Sequence, residues 1–78
     1  MAAEVVHEFT EAVGEYRVRA YAEKKKNVWA GWLEFQSKRS GKTLKTDEET
    51  SQPTKDDVAY WASGLEQIYL EGALKRAK

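Results

Sequence analysis

Hydrophobic residues recur at three- and four-residue steps over the last third of the chain, which begins at Thr54. They place one continuous stripe on a helix that turns by about 100° per residue, and this stripe consists of Val58, Trp61, Ala62, Leu65, Ile68, Tyr69 and Gly72. The hydroxyl of Thr54 can cap the helix, and Asp57 occupies the third helical position of a capping box. The pattern therefore predicts one long C-terminal helix whose stripe needs another surface to cover it.

The hydrophobic pattern in the middle of the chain alternates at every second residue, which is typical of half-buried strands. The strongest such segment is VWAGWLEFQ at 28–36, where Trp29, Leu33 and Phe35 alternate with Val28, Ala30, Trp32 and Glu34. Gly31 lies between two tryptophans, where a ring from a neighbouring strand could cross it. Both faces of this strand carry a large ring, so we expect one face in the core and the other covered or used.

Residues 4–22 have two interpretations. As a helix, the segment places Val5, Val6, Phe9, Ala12, Val13 and Tyr16 near one stripe. As a hairpin, VVHEFT and YRVRAYA alternate around a turn that contains Gly14, and the aromatic and β-branched residues of the second half favour this interpretation. The alternation puts Arg17, Arg19 and Tyr21 on one face and Tyr16, Val18, Ala20 and Ala22 on the other. An N-terminal helix, which would give the order αβββα, is the alternative.

The segment TLKTDEETSQ at 43–52 is polar and rich in threonine, with Leu44 as its one large apolar residue, which is typical of an edge strand. Together these segments predict a single α+β domain over residues 1–78. Its layout is a four-stranded antiparallel meander followed by one long C-terminal helix, ββββα. Such a helix covers one face of the sheet, so the other face stays exposed unless a second copy covers it.

Charge and composition narrow the classes of function. The 13 basic residues cancel the 13 acidic ones, which argues against a nucleic-acid or membrane binder whose affinity comes from bulk charge. The chain has no cysteine, so neither a disulfide framework nor a thiolate metal site is available. The apolar runs are too short to span a bilayer, and the start MAAEVVHEF lacks the regions of a signal peptide. We expect a soluble cytoplasmic protein without membrane contact.

The sequence gives little basis for catalysis. His7 is the only histidine, with no second histidine or cysteine to form a zinc site or a nucleophile triad. The acidic residues Asp47, Glu48 and Glu49 do not follow the spacing of a calcium loop. The SGKT segment at 40–43 lacks the upstream glycine, the preceding strand and the following helix of a phosphate loop. We expect a non-enzymatic protein with no catalytic residue, no cofactor and no metal.

The sheet face opposite the predicted core carries the first candidate binding site. It combines cations and aromatic rings, namely Arg17, Arg19, Tyr21 and Trp32, with Lys45 from the last strand. Proteins that bind single-stranded nucleic acid on a sheet stack rings on bases and place cations along the phosphates. The plainer interpretation is that the cations keep this face solvated while the rings pack under their stems.

A minor stripe on the C-terminal helix, formed by Tyr60, Leu70 and Leu74, is the second candidate surface. These residues lie away from the main stripe, and exposed apolar residues at this spacing suggest a partner, most simply a second copy in a homodimer. The leading hypothesis is therefore a non-enzymatic binding or interaction module that self-associates. The alternatives are single-stranded nucleic-acid binding on the exposed sheet face, and an accessory subunit that lends its edge strand or helix stripe to a larger protein complex.

Three stretches, VWAGWLEF, TDEETSQP and AYWASGLEQIYLEGAL, together resemble a group of small bacterial proteins that run from an antiparallel sheet into a C-terminal helix and whose function is unassigned. The resemblance spans roughly residues 16–77, and it implies a fold but no activity, ligand or catalytic residue. In layout alone, the ββββα order is similar to the units of the Whirly, PUR and positive-cofactor-four single-strand binders. None of their sequence motifs occurs here, so this likeness is a fold analogy.

Overall fold

A computed structural model describes residues 3–78 as five strands and two helices. The strands are β1 (Glu4–Glu8), β2 (Tyr16–Lys25), β3 (Val28–Ser37), β4 (Thr43–Lys45) and β5 (Thr50–Gln52), and the helices are α1 (Lys55–Ser63) and α2 (Gln67–Arg76). The predicted α+β class, an antiparallel sheet followed by C-terminal helical structure, is confirmed. Neither of the helices in these residues is long and apolar enough to cross a membrane.

The N-terminal segment forms a strand pair, as its alternating pattern predicts. β1 and β2 run antiparallel, with Val5 opposite Tyr21. The connection between them closes where Val13 and Tyr16 exchange two backbone hydrogen bonds of 2.9 Å each. Gly14 lies inside this turn at φ 59°, a conformation that costs glycine little and other residues more. The alternative N-terminal helix is therefore wrong, because the turn at Gly14 folds the segment back on itself.

β3 is the central strand of the sheet. β2 pairs with it along its whole length on one side, whereas β4 and β5 share its other side at 34–36 and 29–31. The predicted edge strand over 43–52 is therefore two short strands separated by residues 46–49. The buried Thr46 hydroxyl accepts a hydrogen bond of 3.1 Å from the Leu33 N–H, and the Thr46 N–H donates to the Leu33 carbonyl at 3.0 Å. A side-chain oxygen thus replaces the carbonyl that a continuous strand would offer.

The C-terminal segment forms two helices, so the prediction of one long helix is wrong. α1 begins as predicted, with the Thr54 hydroxyl accepting a hydrogen bond of 3.1 Å from the Asp57 N–H. It ends at Gly64, whose N–H donates to the Trp61 carbonyl at 3.2 Å in a turn tighter than an α-helical one. Glycine costs a helix about 1 kcal/mol relative to alanine, and the following Glu66 is extended before α2 starts.

The break between α1 and α2 changes which residues of α2 face the sheet. Leu70, predicted on the exposed minor stripe, is only 2% exposed, and Leu74 packs against the core. Ile68, predicted in the core stripe, is 77% exposed. A helical phase counted through residues 64–66 does not apply beyond them, because those residues are not helical. Tyr60 is 82% exposed, as expected, yet Tyr60, Leu70 and Leu74 do not form one exposed stripe.

The core lies between the two helices and one face of the sheet. Its buried residues alternate along β2 and β3 and return along the inner sides of the helices, as Val13, Val18, Ala20, Leu33, Phe35, Ala62, Leu70 and Ala73. The end of the chain is fixed at β4, because Lys78 and Lys45 exchange two backbone hydrogen bonds of 3.0 and 3.2 Å. Both helices therefore lie on the same side of the sheet, and the residues that alternate with the core ones point to the other side.

Candidate functional site: the open face of the sheet

We call the side of the sheet opposite the helices the open face. Its side chains are Arg17, Arg19, Tyr21, Glu23 and Lys25 from β2 and Val28, Ala30, Trp32, Glu34 and Gln36 from β3, joined by Thr43 and Lys45 from β4. The register places Tyr21 opposite Trp32, while Glu34 lies between Arg19 on one neighbour and Lys45 on the other. All five residues predicted for the first candidate site thus share one face, because each has the strand parity that points away from the helices.

An aromatic pair forms the centre of the open face. The rings of Tyr21 and Trp32 lie nearly parallel at 10°, with their centroids 6.1 Å apart. Lys45 holds its ammonium group 5.6 Å from the centroid of the Trp32 ring, within range of a cation–π interaction. The indole Nε1–H donates a hydrogen bond of 3.2 Å to Glu34, which fixes the orientation of the ring. Val5 of β1, 42% exposed, adds an apolar side chain beside Tyr21.

The charges of the open face differ between the two ends of the strands. Arg17, Arg19 and Lys45 lie toward the start of β2 and the end of β3. Glu23 lies on the other side of the aromatic pair, near a group that contains Lys25, Asp47 and Glu48. Within this group, the Lys25 ammonium is 3.9 Å from the Glu48 carboxylate. Positive charge is therefore in excess at one end, the basic end, which also holds Glu34, and negative charge is in excess at the other, which also holds Lys25. The sequence pattern did not reveal Asp47 and Glu48 as part of this face, because they belong to the connection between β4 and β5.

Arg19 is the most constrained cation of the open face. Its Nε is buried and has no hydrogen-bond partner among residues 3–78. The closest carboxylate to it is that of Glu8 on β1, at 4.0 Å, which is too long for a hydrogen bond. An unpaired buried donor of this kind costs free energy.

A groove of about 430 Å³ crosses the open face beside the aromatic pair. Glu23 and Trp32 line it on the β2 and β3 side, and Asp47 and Glu48 line its other wall. A smaller depression of about 110 Å³ lies among the side chains at the basic end, between Arg19 and Glu34. The surface is therefore a shallow, amphipathic platform, suited to a flat partner that stacks on rings and pairs with charges of both signs.

The acidic cluster considered from the sequence is divided between the two sides of the sheet. Glu48 pairs with Lys25 on the open face, whereas Glu49 turns toward α2. There it accepts hydrogen bonds of 2.5 Å from the Tyr69 hydroxyl and 2.6 Å from Arg76. Burial, followed by the hydrogen bond to Glu49, raises the pKa of Tyr69 above its usual value. Glu49 thus fixes α2 to the connection between β4 and β5, and no group of three His, Asp or Glu residues within 3–78 converges as a metal site.

His7, the only histidine, is part of a packing contact. Its ring lies edge-on to that of Phe9, with the centroids 4.6 Å apart.

Comparison of the chain with protein-family models, curated proteins and solved structures gave no match. The geometry and charge of the open face are therefore the observations that bear on function.

Proposed function

We propose that this protein is a non-enzymatic binding module that self-associates through its open face. The observation that carries the proposal is the one-sided packing of the sheet. Both helices cover the face that bears Val18, Leu33 and Phe35, while Tyr21 and Trp32 form an aromatic centre on the other face. A second copy is a simple means to cover an amphipathic sheet face of this kind.

The area of the open face corresponds to a small interface. Strands β2 and β3 have 10 residues each. At about 3.3 Å per residue and about 4.8 Å between strands, these two strands and the shorter β1, β4 and β5 correspond to a platform of roughly 500 Å². Stable interfaces bury about 800 Å² on each partner, and weaker ones bury less. We therefore expect a reversible dimer rather than an obligate one.

Single-stranded nucleic acid is the second candidate partner. The specific observation in its favour is the Tyr21–Trp32 pair, with Arg17, Arg19 and Lys45 on the same face. Two features make it the weaker candidate. Lys45 already lies over the Trp32 ring, and the carboxylates of Glu23, Glu34 and Glu48 would repel a phosphate backbone. A partner with charges of both signs fits the face better than a polyanion.

Sedimentation equilibrium over a range of protein concentrations tests the proposal. The wild-type chain should reach a dimer at high micromolar concentration, and Trp32→Ala should remain a monomer with its fold intact. Tyr60→Ala is the control, because it also removes an aromatic ring, one that is 82% exposed on α1. A wild-type chain that stays monomeric would refute self-association. Loss of the dimer in Tyr60→Ala, but not in Trp32→Ala, would place the interface on the helices instead.

A titration with short single-stranded oligonucleotides at low salt separates the two candidate partners. Under the self-association proposal, tryptophan fluorescence changes on dilution of the protein and does not respond to the oligonucleotide. A salt-dependent response that Trp32→Ala abolishes would favour nucleic acid instead. Copurification of a different protein in a fixed ratio, bound through the same face, would favour the accessory-subunit alternative.

A further inference from the structure

We infer that two copies of this chain exchange α2 when they fold together, so that α1 and α2 join into one continuous helix and each α2 packs on the sheet of the second copy. In such an exchange each copy binds the element of the second in the place of its own. The exchange involves the helix-covered side of the sheet, so it is independent of the proposed association through the open face.

The hinge for the exchange is the break between α1 and α2. Only Gly64, Leu65 and Glu66 separate the two helices. Gly64 keeps backbone angles in the helical region, at φ −93° and ψ −2°, whereas Glu66 is extended, at φ −96° and ψ 166°. Leucine and glutamate are strong helix formers, and the hinge contains no proline. A change of backbone angles at a few residues is therefore enough to form one helix from Lys55 to Arg76.

Contacts between α2 and the rest of the molecule maintain the break. Leu70 and Ala73 are buried in the core, and Glu49 accepts hydrogen bonds from Tyr69 and Arg76. A second copy presents the same surface, so these contacts form again with its α2. In the continuous helix the N–H groups of residues 66–68 also bond to the carbonyls of residues 62–64. The exchanged dimer thus keeps the contacts of the monomer and adds helical hydrogen bonds, while the entropy of association opposes it.

Two exposed apolar side chains fit this arrangement. Among residues 3–78, the most exposed large hydrophobic residues are Tyr60, at 82%, and Ile68, at 77%. In a continuous helix Tyr60, Gly64 and Ile68 follow at four-residue steps and therefore lie on one side. If two such helices cross at Gly64 about a two-fold axis, Tyr60 of one copy meets Ile68 of the second, and glycine permits a close crossing. The exchange thus buries two side chains that the monomer leaves in water.

The conditions of folding separate the exchange from association through the open face. Because α2 must leave its own sheet before it can exchange, the exchange takes place while chains fold and not when folded chains meet. Protein refolded while dilute should therefore keep the closed form after it is concentrated. Protein refolded at high micromolar concentration should contain the exchanged dimer, whose open face is the same as that of the monomer.

An engineered disulfide distinguishes the two forms. Lys45 and Lys78 exchange two backbone hydrogen bonds, and the Cα atoms of such an antiparallel pair lie about 5.5 Å apart, which suits a disulfide. The chain has no cysteine of its own. When Lys45→Cys/Lys78→Cys is refolded at high concentration and then oxidised, a denaturing gel without reductant should show a covalent dimer. Refolding while dilute should give an internally closed monomer. Each single cysteine variant controls for random cross-linking.

Gln67→Pro, combined with the cysteine pair, should prevent the continuous helix while it preserves the closed form. Proline inside a helix clashes with the carbonyl four residues earlier, whereas the first helical residue needs no N–H acceptor. Glu66 already has the extended backbone that proline favours in the preceding residue. The exchange should therefore weaken by about a hundredfold or more. Gln67→Ala is the matched control, because it also loses the hydrogen bond of 3.1 Å to the Ala12 carbonyl but permits the continuous helix.

A covalent dimer that forms in Gln67→Ala and not in Gln67→Pro would support the exchange. An internally closed monomer at every refolding concentration, or equal yields of dimer in the two variants, would overturn it. A reversible dimer whose disulfides all stay internal would support the open face as the interface and contradict the exchange. Sedimentation of the same Gln67 variants without the cysteines, after the same refolding, decides if the disulfide does not close.

Ile68→Ser tests the crossing of the two helices and serves as a second variant if Gln67→Pro does not fold. Ile68 is 77% exposed in the closed form, so the monomer should fold normally, as circular dichroism of dilute protein checks. The yield of exchanged dimer should fall about tenfold, because two buried isoleucines are lost from the crossing. An unchanged yield would contradict the arrangement in which Tyr60 meets Ile68 of the second copy.

Discussion

The side chain of Val58 on α1 packs directly onto Gly31 in the centre of β3. A Cβ atom built at Gly31 would lie 2.6 Å from Val58 Cγ1 and 2.8 Å from Thr50 Cγ2, closer than atoms in contact can approach. Gly31 therefore permits α1 to lie close against the sheet, and its missing side chain belongs to the helix-covered face. The neighbouring positions Ala30 and Trp32 point to the open face. This contact defines the two sides of the molecule.

Gly31→Ala should destabilise the fold by about 1–3 kcal/mol, the usual cost of an extra methyl group in a packed core. Chemical denaturation measures the free energy of unfolding. Gly72→Ala is the control, because a Cβ there would meet only Arg76 at an ordinary 3.7 Å, and alanine favours the helix by about 1 kcal/mol. A Gly31→Ala variant as stable as the wild type would show that α1 does not pack against β3 as described.

Trp61→Ala should lower the free energy of unfolding by about 2–4 kcal/mol, somewhat below the range for fully buried tryptophans. Trp61 is half-buried, packs against the core and meets the Tyr69 ring edge-on with the centroids 6.4 Å apart. Trp32→Ala should cost far less, because Trp32 lies on the open face. The comparison is made by thermal and chemical denaturation at low protein concentration. Equal losses in the two variants would contradict the assignment of Trp61 to the core and Trp32 to the binding surface.

Thr46→Val should cost about 1–3 kcal/mol, because it leaves the buried Leu33 N–H without an acceptor while it preserves the shape of the side chain. Thr43→Val is the matched control, since Thr43 is exposed on β4. Hydrogen exchange offers a second measurement, in which the Leu33 amide should lose protection in Thr46→Val. Unchanged stability and unchanged protection of that amide would show that the hydroxyl does not replace a strand carbonyl.

The stability of the fold should fall as the pH rises above about 10, the pKa of an unperturbed tyrosine. Burial and the hydrogen bond to Glu49 raise the pKa of Tyr69, so the neutral phenol is favoured in the folded state. The stabilisation is complete below the pKa of the unfolded chain, and it is lost as the pH passes through the higher pKa of the folded chain. Tyr69→Phe should show a smaller loss between neutral and alkaline pH. Identical pH dependence in both proteins would contradict the raised pKa.

Residue patterns predicted much of the sheet and of the open face. Alternation around Trp32 and Tyr21 was sufficient to place both rings on one face with Arg17, Arg19 and Lys45, because side-chain direction in a strand depends only on parity. The start of α1 at Thr54 was also predicted, from the capping hydroxyl of that residue. These features depend on the residue types at neighbouring positions, which can be read directly from the sequence.

The features that the sequence did not predict depend on contacts between residues far apart in the chain. The burial of Leu70 and the exposure of Ile68 depend on the break at residues 64–66, and one glycine with no proline is a weak signal for a helix end. The position of Gly31 between two tryptophans suggests that a ring from a neighbouring strand crosses it, whereas Val58 from α1 fills that place. The split of the last strand depends on a hydrogen bond between Thr46 and Leu33, 13 residues apart in the chain, which periodicity does not detect.

The indole N–H signals of the three tryptophans give the most direct test of self-association through the open face. In a ¹⁵N-labelled sample, the Trp32 signal should shift as the protein concentration rises from low to high micromolar, because its ring lies at the proposed interface. Trp29 and Trp61, on the helix-covered side, should show little change. A shift confined to Trp61 or Trp29, or no shift of any indole signal over this range, would contradict the claim that the open face is where this protein meets a second copy.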